Sequence, residues 1–269
     1  VKAAPGDEVL IAEAVSGNKE SLTLLIKRHQ DFIYNVALRM FLHPDDALDA
    51  TQEVLIKVVT RLKTFKGESQ FRTWLYRIVV NHFLNSTARK MEKLFDRNAN
   101  LSNEINDRVI DTAQEVSEEE IEEVRIMCSN AMLMCLNREQ RLIYIIGEIF
   151  GADHQLGSEL FETTPGNFRI KLHRAKADLL NYVTGKCGLI DPKNPCRCHK
   201  KAKGMIAQGM VNREKLIFNT HFQKKVNAIV IASKNEISDE VQLKMMALFQ
   251  DSPFQVRKDL DKIFSDILR

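Results

Sequence analysis

Two sets of residues in this chain have the types and spacing to do chemistry. The first lies in CGLIDPKNPCRCH, where Cys187, Cys196, Cys198 and His199 bring three thiols and an imidazole into one Pro-containing loop. Those are the ligand types that suit tetrahedral zinc. A single residue separates Cys196 from Cys198, where zinc ligands are usually two to four residues apart. A reduced structural loop therefore stands beside the metal as a reading, and no other cofactor is implied. The second set lies in GESQFRTWLYRIVVNHFLNSTARK, Gly67 to Lys90, which holds the only tryptophan, Phe71, Tyr76 and Phe83, and the cations Arg72, Arg77, Arg89 and Lys90. Rings stack on unpaired bases while guanidinium groups meet phosphates, so this pattern suits single-stranded nucleic acid. No HExxH, nucleophile triad or phosphate-cradling glycine loop is present, and the chain reads as a protein that is not an enzyme.

Helices must position both sets, and the periodicity is helical almost throughout. From Glu20 to Met40 the apolar residues Leu22, Leu25, Ile26, Ile33, Val36, Ala37 and Met40 advance by threes and fours, the stripe of a long amphipathic helix. A second helix is predicted from about Asp45 through Ala47, Ala50, Val54, Val58 and Leu62, with Gly67 stopping it. In the Trp-bearing helix Phe71, Trp74, Leu75 and Ile78 share a face that should pack. Tyr76 and Phe83 lie among Arg72, Arg77, Asn81 and Asn85 and are the candidates for exposed stacking. A further helix is expected over Val124 to Leu136, with Cys128 and Cys135 as core residues. Asn137 then caps a helix through Ile149, and Gly151 ends it. Asp153 caps a short helix, and Thr164 and Pro165 open another that turns Phe168, Leu172, Ala175 and Leu179 inward. With Thr164, Asn167, Arg169, Lys171 and Arg174 available outward, this pair has the pattern of a helix-turn-helix, whose second helix reads a major groove.

Charge separates the chain into blocks. From Glu53 to Arg97 there are ten Lys or Arg against four acids, and from Thr164 to Lys203 ten against two. From Asn98 to Glu123 the balance inverts, with nine acids against Arg108 alone. Two basic bodies flanking an acidic connector suggest two nucleic-acid-facing modules. No run approaches the ~18 consecutive apolar residues of a membrane span, and five cysteines do not look like a secreted disulfide framework. The expected setting is cytoplasmic, with no membrane partner.

Once these blocks are laid side by side, DDALDATQEVLIKVVTRLKTFKGESQFRTWLYRIVVNHFLNSTARK resembles the second conserved region of bacterial RNA polymerase sigma factors of the extracytoplasmic-function group. LNREQRLIYIIGEIFGADHQLGSELFETTPGNFRIKLHRAKADL is similar to their fourth region. Two departures stand out: Gly157 where an aliphatic residue is usual, and Glu162 in place of the glycine common at the turn. The resemblance implies an all-α chain with a region 2 bundle over residues 5–97, an acidic linker over 98–123, a region 4 helix-turn-helix over 124–186, a Cys-containing loop over 187–203 and a helical extension over 204–269. It implies a sigma factor that directs polymerase core to promoters and helps open the DNA. The alternative is a stand-alone helix-turn-helix regulator, which would leave the Trp-bearing helix and the linker unused. Implied partners are polymerase core, through Asp49, Gln52 and Glu53, double-stranded promoter DNA, the melted non-template strand, and an anti-sigma factor. Arg72, Tyr76, Arg77, Asn81, Phe83, Asn85, Arg89 and Lys90 would meet the minus-ten element, and Thr164, Asn167, Arg169, Lys171 and Arg174 the upstream element. Similar factors thread the linker near the nascent RNA, which would give Glu118, Glu119 and Glu120 a role in initiation.

Beyond Gly204 the pattern predicts amphipathic helices over Leu216 to Ile231, Asp239 to Phe249 and from Ser252. So few residues bury little core alone, so docking on the rest of the chain or on a partner is expected.

Overall fold

The computed structural model describes residues 5–89, 92–93, 115–214 and 216, and among them every regular element is helical. In chain order these are α1 Asp7–Val15, α2 Lys19–Phe41, α3 Pro44–Arg61, α4 Phe71–Asn85, α5 Glu118–Met132, α6 Arg138–Tyr144, a π turn Ile145–Ile149, α7 His154–Leu160, α8 Pro165–Thr184 and α9 Cys198–Ala207. They form two compact units. The described part of the first is residues 5–87 and 145–171, and that of the second 88–89, 92–93, 115–144, 172–214 and 216.

The first unit is built on α2. Asn18 caps it, its side chain accepting from the backbone N–H of Glu20 at 2.9 Å and of Ser21 at 3.1 Å. Of the expected stripe, Leu25, Ile26, Ile33, Val36, Ala37 and Met40 are buried and Leu22 is half-buried; Tyr34, Leu38 and Phe41 are buried too. The second half of α2 is therefore enclosed on all sides. Leu42, at φ 63, ends it in the left-handed region, and Pro44 starts α3 two residues on, at the position where its missing N–H costs nothing. Ala47, Ala50, Val54 and Val58 of α3 are buried as predicted, and so is Leu62 just beyond it. The helix ends at Arg61 and tightens into a 3-10 turn over Leu62–Thr64, so Gly67, at φ 74, bends the following loop rather than stopping the helix. Helix α1 is tied to α2 by Asp7, which bonds Arg28 at 2.7 Å and His29 at 3.1 Å. Burial pushes the Asp7 carboxyl up, but those two partners outweigh it and hold it below its ordinary value.

The helix pair α7–α8 forms where the caps predict it. Asp153 accepts from the Leu156 N–H at 2.7 Å and Thr164 from the Asn167 N–H at 3.2 Å. The structure explains both unusual residues. A Cβ on Gly157 would stand 2.3 Å from the fully buried Phe168 ring, so glycine is what lets α7 lie against α8. Glu162 carries the turn at φ 50, a left-handed conformation that costs an L-residue about 1–2 kcal/mol.

In the second unit α5 begins at Glu118, six residues before the predicted Val124. Ser117 and Glu120 make a capping box, the Glu120 N–H donating to Ser117 Oγ at 3.3 Å and the Ser117 N–H to Glu120 Oε2 at 2.8 Å. Glu118, Glu119 and Glu120 are thus the first turn of a helix, where acids complement the positive end, and not part of an extended linker. Glu120 is buried and paired with Arg213, whose Nη2 also donates to the Glu115 carbonyl at 2.8 Å. The linker residues 98–114 lie outside the described residues, as do the helices expected at 239–249 and from Ser252, and all of the first predicted extension helix except Leu216. That residue packs with α5 and α9 on a core of Val124, Ala202, Met205 and Val211. The Cys-containing loop is itself shorter than predicted, because α9 starts at Cys198. In the same unit Glu92 is buried between Arg138, at 2.5 Å, and Arg141, at 2.8 Å.

Replacing Glu162 by Gly is expected to raise stability by about 1 kcal/mol, whereas Gly157→Ala should lower it by about 1–3 kcal/mol through the Phe168 overlap; urea unfolding of the two variants checks both. Arg213 holds the Glu120 carboxyl below its ordinary value, with burial opposing. The stabilisation that follows is fully present above the ordinary carboxylate range and is lost as pH falls through the lower folded value. Thermal midpoints recorded against pH should therefore show an acid-side loss that Arg213→Ala removes.

Candidate nucleic-acid interface

The surface that carries the second chemical set is a loop and the helix it feeds. Phe65 leaves the 3-10 turn and meets Phe71 edge-on at 5.6 Å and Trp74 at 5.6 Å, while Phe71 and Trp74 stack at 5.5 Å. These three rings pin the loop of residues 64–70 to the first turn of α4. A hollow of about 520 Å³ opens there, lined by Phe65, Lys66, Ser69, Trp74, Arg77 and Glu159 among others. Trp74 is half-buried rather than enclosed, and its exposed part faces this space. The loop was not singled out from the sequence; the signal available was the aromatic Phe65 ahead of a Lys, Gly, Glu, Ser and Gln run.

Helix α4 places the predicted contacts unequally. Arg72, Asn81 and Asn85 are exposed, and Arg77 and Arg89 are half-buried. Lys90 lies outside the described residues. Phe83 is not an exposed stacking ring: it is fully buried, 5.5 Å from Phe41. Tyr76 is buried too, stacked on Phe32 at 3.7 Å, with its hydroxyl accepting from Arg72 Nε at 2.8 Å. The polar neighbours that suggested exposure surround α4 in sequence, but the helix is clasped on both sides. Burial pushes the Tyr76 phenol up, and the Arg72 guanidinium opposes this.

Residues of the π turn and α7 share this unit and cover part of α4. Phe150 meets Phe32 edge-on at 4.9 Å, and Arg39 lies 5.5 Å over the Phe150 ring. Burial lowers the Arg39 pKa to about 10. Arg77 Nε donates to the Glu159 carbonyl at 3.0 Å. A second cleft, of about 540 Å³, lies between these elements and α4, with Phe32, Arg72, Tyr76, Phe150 and Asp153 in its walls.

The other predicted surfaces are in place as faces. On α3, Asp49 and Glu53 are exposed and Gln52 is half-buried, with exposed Ile56 on the same side. On α8, Thr164, Asn167, Arg169 and Arg174 are exposed and Lys171 is half-buried. Ile170, 49% exposed, joins them; as an apolar residue it escaped the sequence reading, although apolar side chains meet thymine methyl groups in a major groove. Asn167 is held by Thr163, to whose hydroxyl its amide donates at 2.7 Å.

The thiol set differs from the predicted one. Cys187 is buried, Cys196 and Cys198 are half-buried, and His199 is exposed on the first turn of α9. Cys128 packs beside the α5–α9 core as expected, but Cys135 is exposed, not a core residue. As the chain stands, no three His, Cys, Asp or Glu side chains among the described residues are disposed to hold a metal ion. Among the described residues, no helix is long and apolar enough to cross a membrane.

Residues 25–92 match the family described as Sigma-70 region 2. The chain is similar to the ECF RNA polymerase sigma-E factor of Haemophilus influenzae, 27% identical over 184 residues, which span 66% of this chain and 95% of that protein. It is 25% identical to the sigma-E factor of Escherichia coli K12 over 181 residues, 66% of this chain and 94% of the other. The solved structure of CnrH in complex with the cytosolic domain of CnrY is similar at 19% identity and a TM-score of 0.48, over 66% of this chain and 97% of that one. The match spans most of α2 and all of α3 and α4, so this helical segment is a sigma-70 region 2. Over about two thirds of its length the chain is similar to extracytoplasmic-function sigma factors.

If the three rings hold the loop, Phe65→Ala should loosen residues 64–70 without unfolding α4. Hydrogen exchange is expected to accelerate in that loop alone; equal acceleration through α3 and α4 would show that Phe65 serves the core instead.

Proposed function

We propose that this sigma factor brings RNA polymerase core to promoters and helps open the DNA, the loop of residues 64–70 with α4 meeting the melted non-template strand and α7–α8 the double-stranded upstream element. The observation that carries the reading is the ring-walled hollow beside Trp74 and Arg77, lined, apart from Glu159, by residues that match region 2. Extracting a base from the stack costs a few kcal/mol, and stacking on a protein ring returns about 1–3 kcal/mol per base. Arg72 and Arg77 supply cations for the adjoining phosphates, and Asn81 and Asn85 supply exposed amides. Arg77 must exchange the Glu159 carbonyl for its phosphate, so strand binding competes with the packing of α7 on α4. Asp49, Gln52 and Glu53 around exposed Ile56 form the face offered to polymerase core, a polar rim about an apolar centre. In this reading the protein acts in the cytoplasm and catalyses no reaction of its own.

Immobilised full-length chain is expected to retain polymerase core, and promoter-directed run-off transcription should require both proteins. Asp49→Lys with Glu53→Lys should weaken core retention by about tenfold or more while leaving the helical content unchanged. Arg77→Ala should leave core retention intact, weaken binding of a non-template oligonucleotide and reduce the slope of log affinity against log salt by about 1. Binding of duplex operator DNA by the chain alone, with no retention of core, would instead establish a stand-alone regulator.

A further inference from the structure

We propose that Cys128, Cys187, Cys196 and Cys198 are the four ligands of a structural Zn²⁺ site, with Cys128 in the place that the local sequence offers to His199. The proposal does not rest on the promoter reading.

Three segments of the second unit bring these thiols together. Cys128 is on α5, Cys187 follows the end of α8, and Cys196 and Cys198 lead into α9, which packs along α5. The turn between the second and third segments is built to hold its ends close. The Asn194 amide donates to the carbonyls of Thr184 at 2.7 Å and Cys187 at 3.2 Å. Arg197 donates to the carbonyls of Asn194 at 2.5 Å, Cys196 at 2.8 Å and Pro192 at 3.0 Å. Gly188 is the closest approach: a Cβ there would stand 2.0 Å from the Cys196 carbonyl oxygen, so only glycine allows Cys187 and Cys196 to share this corner. As a result Cys198 lies within electrostatic reach of Cys128, Cys187 and Cys196, and Cys128 within reach of Cys187 and Cys196. His199, one residue on, points to solvent.

The surroundings suit a charged thiolate cluster. Lys201 hydrogen-bonds the Cys128 sulfur, and Arg125 lies near Cys198. Cys198 is also the first residue of α9, where the helix N-terminus favours a thiolate. In the chain as it stands no three of these groups are disposed around an ion. Zn²⁺ and four S–H groups would give a four-thiolate complex of charge −2 and four released protons, and the two cations beside the cluster offset that charge. The ion would join α5, the end of α8 and α9 around a small core that has few apolar residues of its own.

The test is metal content of the full-length protein purified under reducing conditions and reconstituted with Zn²⁺, together with the absorption spectrum of its Co²⁺ form. We expect about one zinc per chain and the charge-transfer bands of four-thiolate cobalt. Separate Ser replacements of Cys128, Cys187, Cys196 and Cys198 should each lose most of the bound zinc, whereas Cys135→Ser and His199→Ala keep it. Circular dichroism shows whether a variant that loses zinc is still helical. For one that is not, Co²⁺ titration of the wild-type chain decides by counting thiolate ligands from the band intensities. Reconstituted wild-type protein without zinc overturns the proposal. Zinc retained in Cys128→Ser and lost in His199→Ala overturns the ligand set.

Discussion

The enclosure of α4 is the constraint on which the rest of the first unit depends. Phe71, Leu75, Val79 and Phe83 are buried along it, and so are Tyr76 and Val80, so little of the helix remains for a ligand. What remains is the row of polar residues Arg72, Arg77, Asn81 and Asn85 and the end that meets the loop. The Phe65, Phe71 and Trp74 rings anchor that loop to the buried helix. A mobile loop would pay ordering entropy each time it bound a strand, whereas a loop already held against a core does not. Burial of α4 and order in the loop are therefore parts of one arrangement, with Trp74 between them.

Covering α4 with the π turn and α7 has an electrostatic side. Arg39 is wholly enclosed, yet it lies over the Phe150 ring and donates to the Asn35 carbonyl at 3.2 Å. A buried guanidinium needs such partners, because desolvation is costly unless hydrogen bonds and ring faces replace water. Widening of the helix at Ile145–Ile149, where the Phe150 N–H reaches back five residues to the Ile145 carbonyl at 2.9 Å, sets Phe150 against Phe32. The second unit solves a similar problem with Glu92 between Arg138 and Arg141, an interior ion group that tolerates no missing member, since a lone buried charge costs several kcal/mol.

Much of this was legible in the linear pattern. Apolar spacing by threes and fours marked α2, α3 and α8, and Asp153 and Thr164 marked helix starts through side chains that satisfy orphan N–H groups. Less legible was which of two polar-looking faces is solvent. Tyr76 and Phe83 sit among Arg and Asn in sequence, and only packing against Phe32 and Phe41 removes them from the surface. Charge composition likewise suggested a linker through Glu123, but the capping box at Ser117 and the Arg213 partner 93 residues beyond Glu120 turn its last six residues into helix.

The sequence by itself determined the helical class, the positions of α2, α3 and α8 and the likeness to sigma factors, because each is set by local periodicity, caps and motif. The tertiary structure alone decided that Trp74 and Phe65 wall a hollow, that Arg77 is engaged by Glu159, and that Cys128 packs beside α9 while His199 is exposed. Those are contacts between residues far apart in the chain, and they depend on how helices pack and on where a glycine lets two backbones touch, quantities that spacing along one helix does not contain.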